Sequence, residues 1–419
     1  MWDPYAEFQS ATLPNGLTVH AAHWPNRPWE AMGFLIHSGA FQDAIGLEGT
    51  AHFVEHLVSQ NAGISNNDIR KFFEGRGGLV GLGSTTHHDT QYSFFVPADI
   101  ATMTEALSIF GRMLIPSRLE KQIEPERQVI IGEFNRRFPM SIHFDLAQRR
   151  CRAINAGDCV ERSIRPMGKP ESINRIAQED LQSFYDSHYT PANISVVGVG
   201  CLDLAELIEL LYRSPFSMSK TGSRATLPDP VIDVTLPTEN YYVFEMSKHM
   251  PTVVPRETLE YLAAAKVPGN INQCATRIVC DMLDYALNQE IREHRAWAYA
   301  VECKRCNLWS FNEIEIFCPA LALSALDEID QVVNDCIDSL NSDDLLFEQM
   351  KQDALAGCLM IDPTGRNIRD GAIDDISKYQ RIITLAEYAQ KLERLQMADM
   401  RHLLAHLKPE RRWTLLNRP

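Results

Sequence analysis

An echo between the two halves of this 419-residue chain constrains its fold more than any other feature. His188-Tyr189-Thr190-Pro191 leads into the apolar run NISVVGV, and His406-Leu407-Lys408-Pro409 leads into RRWTLL. The two prolines stand 218 residues apart, near half the chain length, and an Asp-led helix precedes each. Repetition at that offset predicts two similar domains in tandem, since a single core rarely grows to this size. Short strands and amphipathic helices are mixed in both halves. The expected class is therefore α+β, with each domain a mainly antiparallel mixed sheet packed with helices.

The first half opens on the turn Pro14-Asn15-Gly16 and the alternating strand LTVHAA, followed by the more apolar strand AMGFLIHSG. Apolar spacing predicts a helix from Gly49 to about Gln60, and Ser65 caps a second helix running to Glu74 before the glycines at 75, 77 and 78. TQYSFFV reads as a strand and ADIATMTEALSIFGRML as a helix. Pro125 opens the helix PERQVIIGEFNRR, since a first turn tolerates proline. NISVVGV is a buried strand, and Asp203 caps the helix LDLAELIELLYR. The Ser-, Pro- and Gly-rich stretch SPFSMSKTGSRATLPDPVIDVTLP breaks this pattern. The expected division is a first domain over 1–215, a linker over 216–237 and a second domain over 238–419.

Charge and composition exclude several functions. Forty basic against 55 acidic residues give a net charge of −15, which argues against a nucleic-acid partner. No apolar run approaches the roughly 18 residues of a membrane span. The start, MWDPYAEFQSATLPNGL, lacks the basic and apolar regions of a secretory signal, so the expected location is the cytoplasm. Ten scattered cysteines do not form the dense framework of a stapled secreted domain, and free buried thiols are expected. Cys303-Lys304-Arg305-Cys306 has zinc-like spacing, but no second pair stands nearby.

The chemistry concentrates in GTAHFVEHLVSQ, residues 49–60. Each helical residue turns about 100°, so His52, Glu55 and His56, at i, i+3 and i+4, share a face. Two imidazoles one turn apart can bind one zinc ion, with the carboxylate placed to take a proton from water that the ion has acidified. The order H-x-x-E-H inverts the commoner zinc-peptidase motif. Taken alone, the triplet also reads as a solvated helix face, and both readings stand at this point.

A third candidate ligand lies further on. PERQVIIGEFNRR places Glu126 and Glu133 seven residues apart on one helical face, and Glu133 follows His56 after 76 intervening residues. With that spacing the chain resembles the pitrilysin or insulinase family of zinc peptidases, which includes the mitochondrial processing peptidases. The resemblance implies one zinc ion per chain held by His52, His56 and Glu133, with Glu55 as general base. It implies that Glu126 orients a ligand, as metal-bound histidines require of a partner on their other nitrogen. LPNGLTV, SGAFQDAIGLEGTAHFVEHL and PMGKPESINRIAQEDLQSFYDSHYTPANISVVGVG carry the likeness through the first half, with Asp43 where glutamate is usual. In GLVGLGSTTHHDTQY, Leu82 and Gly83 stand where the family has Asn-Ala, while Thr85, Thr90 and Tyr92 remain. Gly83, Ser84 and Thr85 would then lie on the strand edge that pairs with a substrate backbone. VSQNAGI replaces the family's Phe-Lys-Gly-Thr, and His87 and His88 read as an exposed turn.

In the second half LNQEIREHRAWAYAV resembles the family segment that carries an arginine seven residues before a tyrosine. Arg292 would hold a substrate carbonyl and Tyr299 would stabilise the developing oxyanion. The residues alone equally describe a surface helix of ion pairs among Glu290, Arg292, Glu293 and Arg295. Ala296-Trp297-Ala298-Tyr299 departs from the usual Gly-Leu-Ala-Tyr. The expectation is a zinc-dependent endopeptidase for peptides or unfolded segments, acting in a chamber enclosed by two paired chains. A homodimer is favoured, with a heterodimer left open. The alternatives are a non-catalytic binding or assembly subunit and a dedicated maturase of one small precursor peptide.

Overall fold

A computed structural model describes residues 2–115, 118–119, 123–138, 141–154, 166–218, 222–226, 236–237, 239–245, 258–268, 272–308, 311–360 and 364–418. The chain divides into two compact units. One comprises Met1–Phe144, Glu161–Leu227 and Asp362–Leu385; the other comprises Asp145–Val160, Pro228–Ile361 and Ala386–Pro419.

The first unit is built on six strands: β1 (Phe8–Thr12), β2 (Thr18–His23), β3 (Trp29–Ile36), β4 (Leu79–Thr85), β5 (Thr90–Pro97) and β6 (Ile194–Gly200). They lie in the order β1-β2-β6-β3-β5-β4. β2 and β6 are parallel and every other pair is antiparallel. The first hairpin turns at Gly16, whose φ of +89° and closeness to Ala192, 2.7 Å from an added Cβ, leave room for glycine alone.

β3 and β6 read as continuous apolar runs because both faces of the sheet are covered there. On one side Phe34, Ile36 and Val196 join Phe53, Leu107 and Phe110. These come from helices α1 (Thr50–Val58) and α3 (Ile100–Leu114), which with α2 (Asn66–Glu74) and α4 (Ile123–Arg137) complete this layer. On the other side Leu35 and Val197 pack against Ala372, Ile373 and Ile376 of helix Gly365–Tyr379. Arg369 of that helix donates to the carbonyls of Met32 and Phe94 at 3.3 and 3.2 Å. The predicted caps are in place. Ser65 accepts from the Asp68 amide at 3.1 Å and Asp203 from the Glu206 amide at 2.9 Å.

The second unit has five strands: β7 (Tyr241–Glu245), β8 (Thr258–Pro268), β9 (Glu302–Leu308), β10 (Phe311–Ala322) and β11 (Arg412–Arg418). Their order is β7-β11-β8-β10-β9, with β7 and β11 parallel and the rest antiparallel. This repeats β2-β6-β3-β5-β4 strand for strand, so both sheets are mixed and the α+β duplication holds. The echo marks equivalent strands. Pro191 precedes β6 and Pro409 precedes β11, the strands that pair parallel with β2 and β7 respectively.

The units also trade segments. Helix Gly365–Tyr379, from the second half, completes the first sheet, while Asp145–Val160, from the first half, belongs to the second unit. There Arg150 bonds Glu313 and Glu315 of β10. Of the expected linker, residues 219–221 and 227–235 lie outside the described residues. Its beginning is not a free connector. Phe216 is fully buried and stacks on Phe34, 5.3 Å between ring centroids, and the Ala225 amide donates to Asn193 at 2.7 Å.

Candidate metal centre

α1 is built to carry a polar face over a core. Its start turns through Gly49 at φ +100°, where a Cβ would lie 2.5 Å from Ile173 and 2.8 Å from the Met167 carbonyl. Glycine offers no capping side chain. Instead the Asp43 carboxyl accepts from the Gly49 and Ala51 amides at 2.7 and 2.8 Å, satisfying donors that the first turn leaves unpaired. Burial pushes Asp43 up to about 8, against the downward pull of those amides. Ala51, Phe53, Val54, Leu57 and Val58 fill the core and hold the helix in place.

The opposite face brings the candidate ligands together. One nitrogen each of His52 and His56 and one carboxylate oxygen of Glu133, from α4, all lie within 4.8 Å of one another. Both Nε2 atoms are 3.7 Å from Glu133 Oε2. The edge of a tetrahedron with 2.1 Å metal bonds is about 3.4 Å, so the set fits zinc and leaves a fourth position open. Among the described residues this is the one such group of His, Cys, Asp or Glu. Cys303 is a free, half-buried thiol outside it, and the Cys306 side chain lies outside the described residues.

The neighbours set the protonation that a metal needs. Burial, with His56 and Arg137 nearby, holds His52 down at about 3, so its ring is neutral. Burial, the largest single influence, works against protonation of His56, but the hydrogen bond to Glu126 together with the nearby charges of Glu55, Glu126 and Glu133 outweighs it and raises the group. His56 Nδ1 stands 2.7 Å from Glu126 Oε1 and donates to it, which leaves Nε2 as the lone pair facing Glu133. Gln60 Nε2 donates to the other Glu126 oxygen at 2.8 Å. His52 Nδ1, by contrast, is buried with no hydrogen-bond partner among the described residues.

Glu55 is buried, and burial raises its pKa. Thr85 Oγ1 donates to Glu55 Oε2 at 2.7 Å. The predicted substrate strand thus has one member, Thr85, already engaged by the predicted base. Glu55 also occupies the space beside Gly83, where a Cβ would lie 2.3 Å from Glu55 Oε1. β4 is an outer strand of the sheet, and its register with β5 breaks between Gly81 and Ser84. The exposed turn expected at His87 and His88 is corrected. Both are half-buried, their rings 5.5 and 5.3 Å from Phe41, because that turn folds back over an apolar side chain.

Arg292 and Tyr299 belong to the second unit and come together there. The Arg292 guanidinium stands 5.2 Å from the Tyr299 ring, and Tyr299 is 83% exposed. Arg292 lies in a π-helical turn, Asn288–His294, a form often found at functional sites. It pairs with Glu293 at 3.1 Å, while Glu290 takes His294 and Arg295, so the expected surface ion pairs exist too. Sequence reasoning missed Gln60. Its place four residues beyond His56, one further turn along the same helix face, was the available signal.

Residues 18–138 match the profile described as Insulinase (Peptidase family M16), and residues 175–352 match the one described as Peptidase M16 inactive domain. The second match contains none of His52, Glu55, His56 or Glu133. A mitochondrial-processing peptidase subunit beta from Blastocladiella emersonii is 28% identical over 207 residues, 48% of this chain and 43% of that protein. An uncharacterized zinc protease from Streptomyces coelicolor is 24% identical over 302 residues, 69% of this chain and 62% of that one. The matches thus span about half of these relatives' length, or somewhat more. A crystal structure of a protease from Helicobacter pylori superposes with a TM-score of 0.80 at 18% identity, covering 100% of both chains. A peptidase M16 inactive domain from Pseudomonas fluorescens gives 0.80 at 16% identity over 98% of each. With matching profiles in both halves and the same fold throughout, the chain belongs to the pitrilysin/insulinase family, peptidase family M16.

Proposed function

We propose that this chain is a zinc-dependent endopeptidase. The observation that carries the reading is the convergence of His52, His56 and Glu133 on one point, with Glu55 on the same helix face. Zinc held by these three residues supplies Lewis acidity, polarising a scissile carbonyl and making water nucleophilic at neutral pH. Glu55 accepts the proton of the attacking water and returns it to the leaving amine. Burial suits it to this role, because a carboxylate raised above its ordinary range is a stronger base toward water than an exposed one and remains acidic enough to protonate an amine. Thr85 fixes which Glu55 oxygen stays free, and Glu126 fixes the His56 ring. The β4 edge pairs with an extended peptide backbone. In this proposal Arg292 holds a substrate carbonyl and the Tyr299 hydroxyl stabilises the developing oxyanion.

Relatives named as a subunit support action with a second chain, and we propose pairing with either a copy of this chain or a related one. The test compares wild type with Glu55→Gln. The expected result is one zinc per chain in both, with peptide cleavage reduced by about 10²- to 10⁴-fold in the variant. Wild-type protein that retains no stoichiometric zinc would end this reading.

A further inference from the structure

We infer that Gln60 is a positioning residue of the metal centre, holding Glu126 so that Glu126 can hold His56. The inference rests on the proposed zinc site and extends it by one residue. Gln60 lies in the 3-10 turn Ser59–Ala62 that continues α1, four residues beyond His56. Its Nε2 is 2.8 Å from Glu126 Oε2, and His56 Nδ1 is 2.7 Å from Glu126 Oε1. Each carboxylate oxygen therefore receives its own donor. The amide orientation follows from chemistry, because the reverse would set the Gln60 carbonyl against a carboxylate.

The two histidines differ in what stands behind them. His56 is backed by two groups in series, Glu126 and then Gln60 from the turn that continues its own helix, so its ring is oriented by a hydrogen bond at Nδ1 whose acceptor is itself held. His52 has no hydrogen-bond partner on Nδ1 among the described residues, so nothing corresponding to Glu126 orients its ring from behind. Metal retention should then depend most on the His56 arm. A neutral amide also suits this place better than a cation would. It orients Glu126 without cancelling the charge through which Glu126 raises the basicity of His56. The side chain sits within the stretch VSQNAGI, where this sequence departs from its family, so the departure supplies the tether.

The experiment measures zinc affinity by competition with a chromophoric chelator, and records the visible spectrum after cobalt(II) substitution. It uses wild type, Gln60→Leu, Gln60→Glu, Glu126→Gln and the Gln60→Leu/Glu126→Gln double variant. Partners one bond from a ligand are worth about 10- to 100-fold in metal affinity, so a residue one step further out should cost about 3- to 10-fold. Gln60→Leu should show that loss with a shifted cobalt spectrum and an unchanged melting temperature of the metal-free protein. Gln60→Glu, which sets two carboxylates together, should lose at least as much. The double variant should bind no more weakly than Glu126→Gln alone, because Gln60 acts only through Glu126. Unchanged affinity in both Gln60 variants, or losses that add in full, would overturn the inference while wild type still binds zinc. Absence of zinc from wild type is the separate failure of the proposed function.

Discussion

The helix that follows the central strand differs between the two units, though the sheets around it share one strand order. In the first unit α1 offers His52, Glu55 and His56, and among the described residues no arginine or lysine is hydrogen-bonded to Glu126 or Glu133. In the second unit helix Gln273–Leu287 offers Arg277, Asp281 and Asp284. Arg277 pairs with Asp281 at 3.6 Å and donates to Tyr388 at 3.2 Å, while Asp284 accepts from the Cys303 amide at 3.0 Å. One scaffold therefore carries two electrostatic outcomes. The second helix pairs its one cation with one of its two carboxylates, and the first leaves two imidazole lone pairs converging on a carboxylate to which, among the described residues, no lysine or arginine is bonded. The fold supplies the platform, and the converging donors make the candidate metal centre.

The sharpest way to break this comparison is to remove a ligand on one side and a charge on the other. His56→Ala should abolish stoichiometric zinc after dialysis, because two remaining donors do not make a structural or catalytic zinc set. Asp281→Asn should leave zinc content and peptide cleavage at wild-type levels. Zinc loss in the second variant would mean that the second unit's helix matters to the metal in a way its chemistry does not predict.

The site was legible where geometry follows from spacing alone. His52, Glu55 and His56 had to share a face once the segment was helical, and seven residues had to put Glu126 and Glu133 on one side of α4. The echo at Pro191 and Pro409 was legible because a proline before a buried strand leaves a durable mark. Other features depend on long-range partners that periodicity does not name. The apolar stripe of Ala372, Ile373 and Ile376 announces that a sheet covers it, but not that the sheet belongs to the first unit. Phe216 sits in a Ser- and Pro-rich stretch whose composition hides one fully buried ring. Gln60 carries a local signal, its place one turn beyond His56, but that spacing does not show what the amide bonds; Glu126 beside it does.

Buried carboxyls extend the comparison to stability. In the first unit Glu30 is 1% exposed and accepts from the Leu202 amide at 3.1 Å. Burial pushes it up to about 8. In the second unit burial also raises Glu313, but Arg150 bonds it and opposes the rise. A carboxyl with a raised folded-state pKa keeps its proton longer in the folded chain than in the unfolded one. Its contribution is intact below the unfolded value near 4.5 and is lost as pH climbs through about 8. Glu30→Gln keeps an acceptor for the Leu202 amide and removes the charge. It should therefore gain stability over wild type as pH rises from about 4.5 to about 8, on the order of 4–5 kcal/mol in full by pH 9, and gain little at pH 5. Glu313→Gln should instead destabilise wherever Glu313 is ionised, most at the higher pH, because it weakens the pairing of Arg150. Denaturant titrations at the two pH values separate these outcomes, and parallel pH profiles for wild type and Glu30→Gln would refute the assignment.

The smallest expected effect concerns how each unit bends its backbone. The first unit enters α1 through Gly49 at φ +100°, a region glycine adopts freely. The second unit leaves its π-helical turn through Ala296 at φ +51°, in the sequence Ala296-Trp297-Ala298-Tyr299 where glycine is usual for the family. Left-handed backbone costs an L-residue about 1–2 kcal/mol, and glycine returns part of that as extra freedom in the unfolded chain. The turn is held by the Trp297 amide donating to the Ile291 carbonyl at 2.9 Å and by Trp297 accepting from the Ala322 amide at 2.7 Å. Those bonds keep Ala296 in its strained conformation. Ala296→Gly should therefore stabilise the protein by about 0.5–1 kcal/mol in denaturant unfolding, with zinc content unchanged. A loss of stability instead would show that the alanine methyl contributes more packing than its backbone costs, and that the two units meet the same geometric demand by different means.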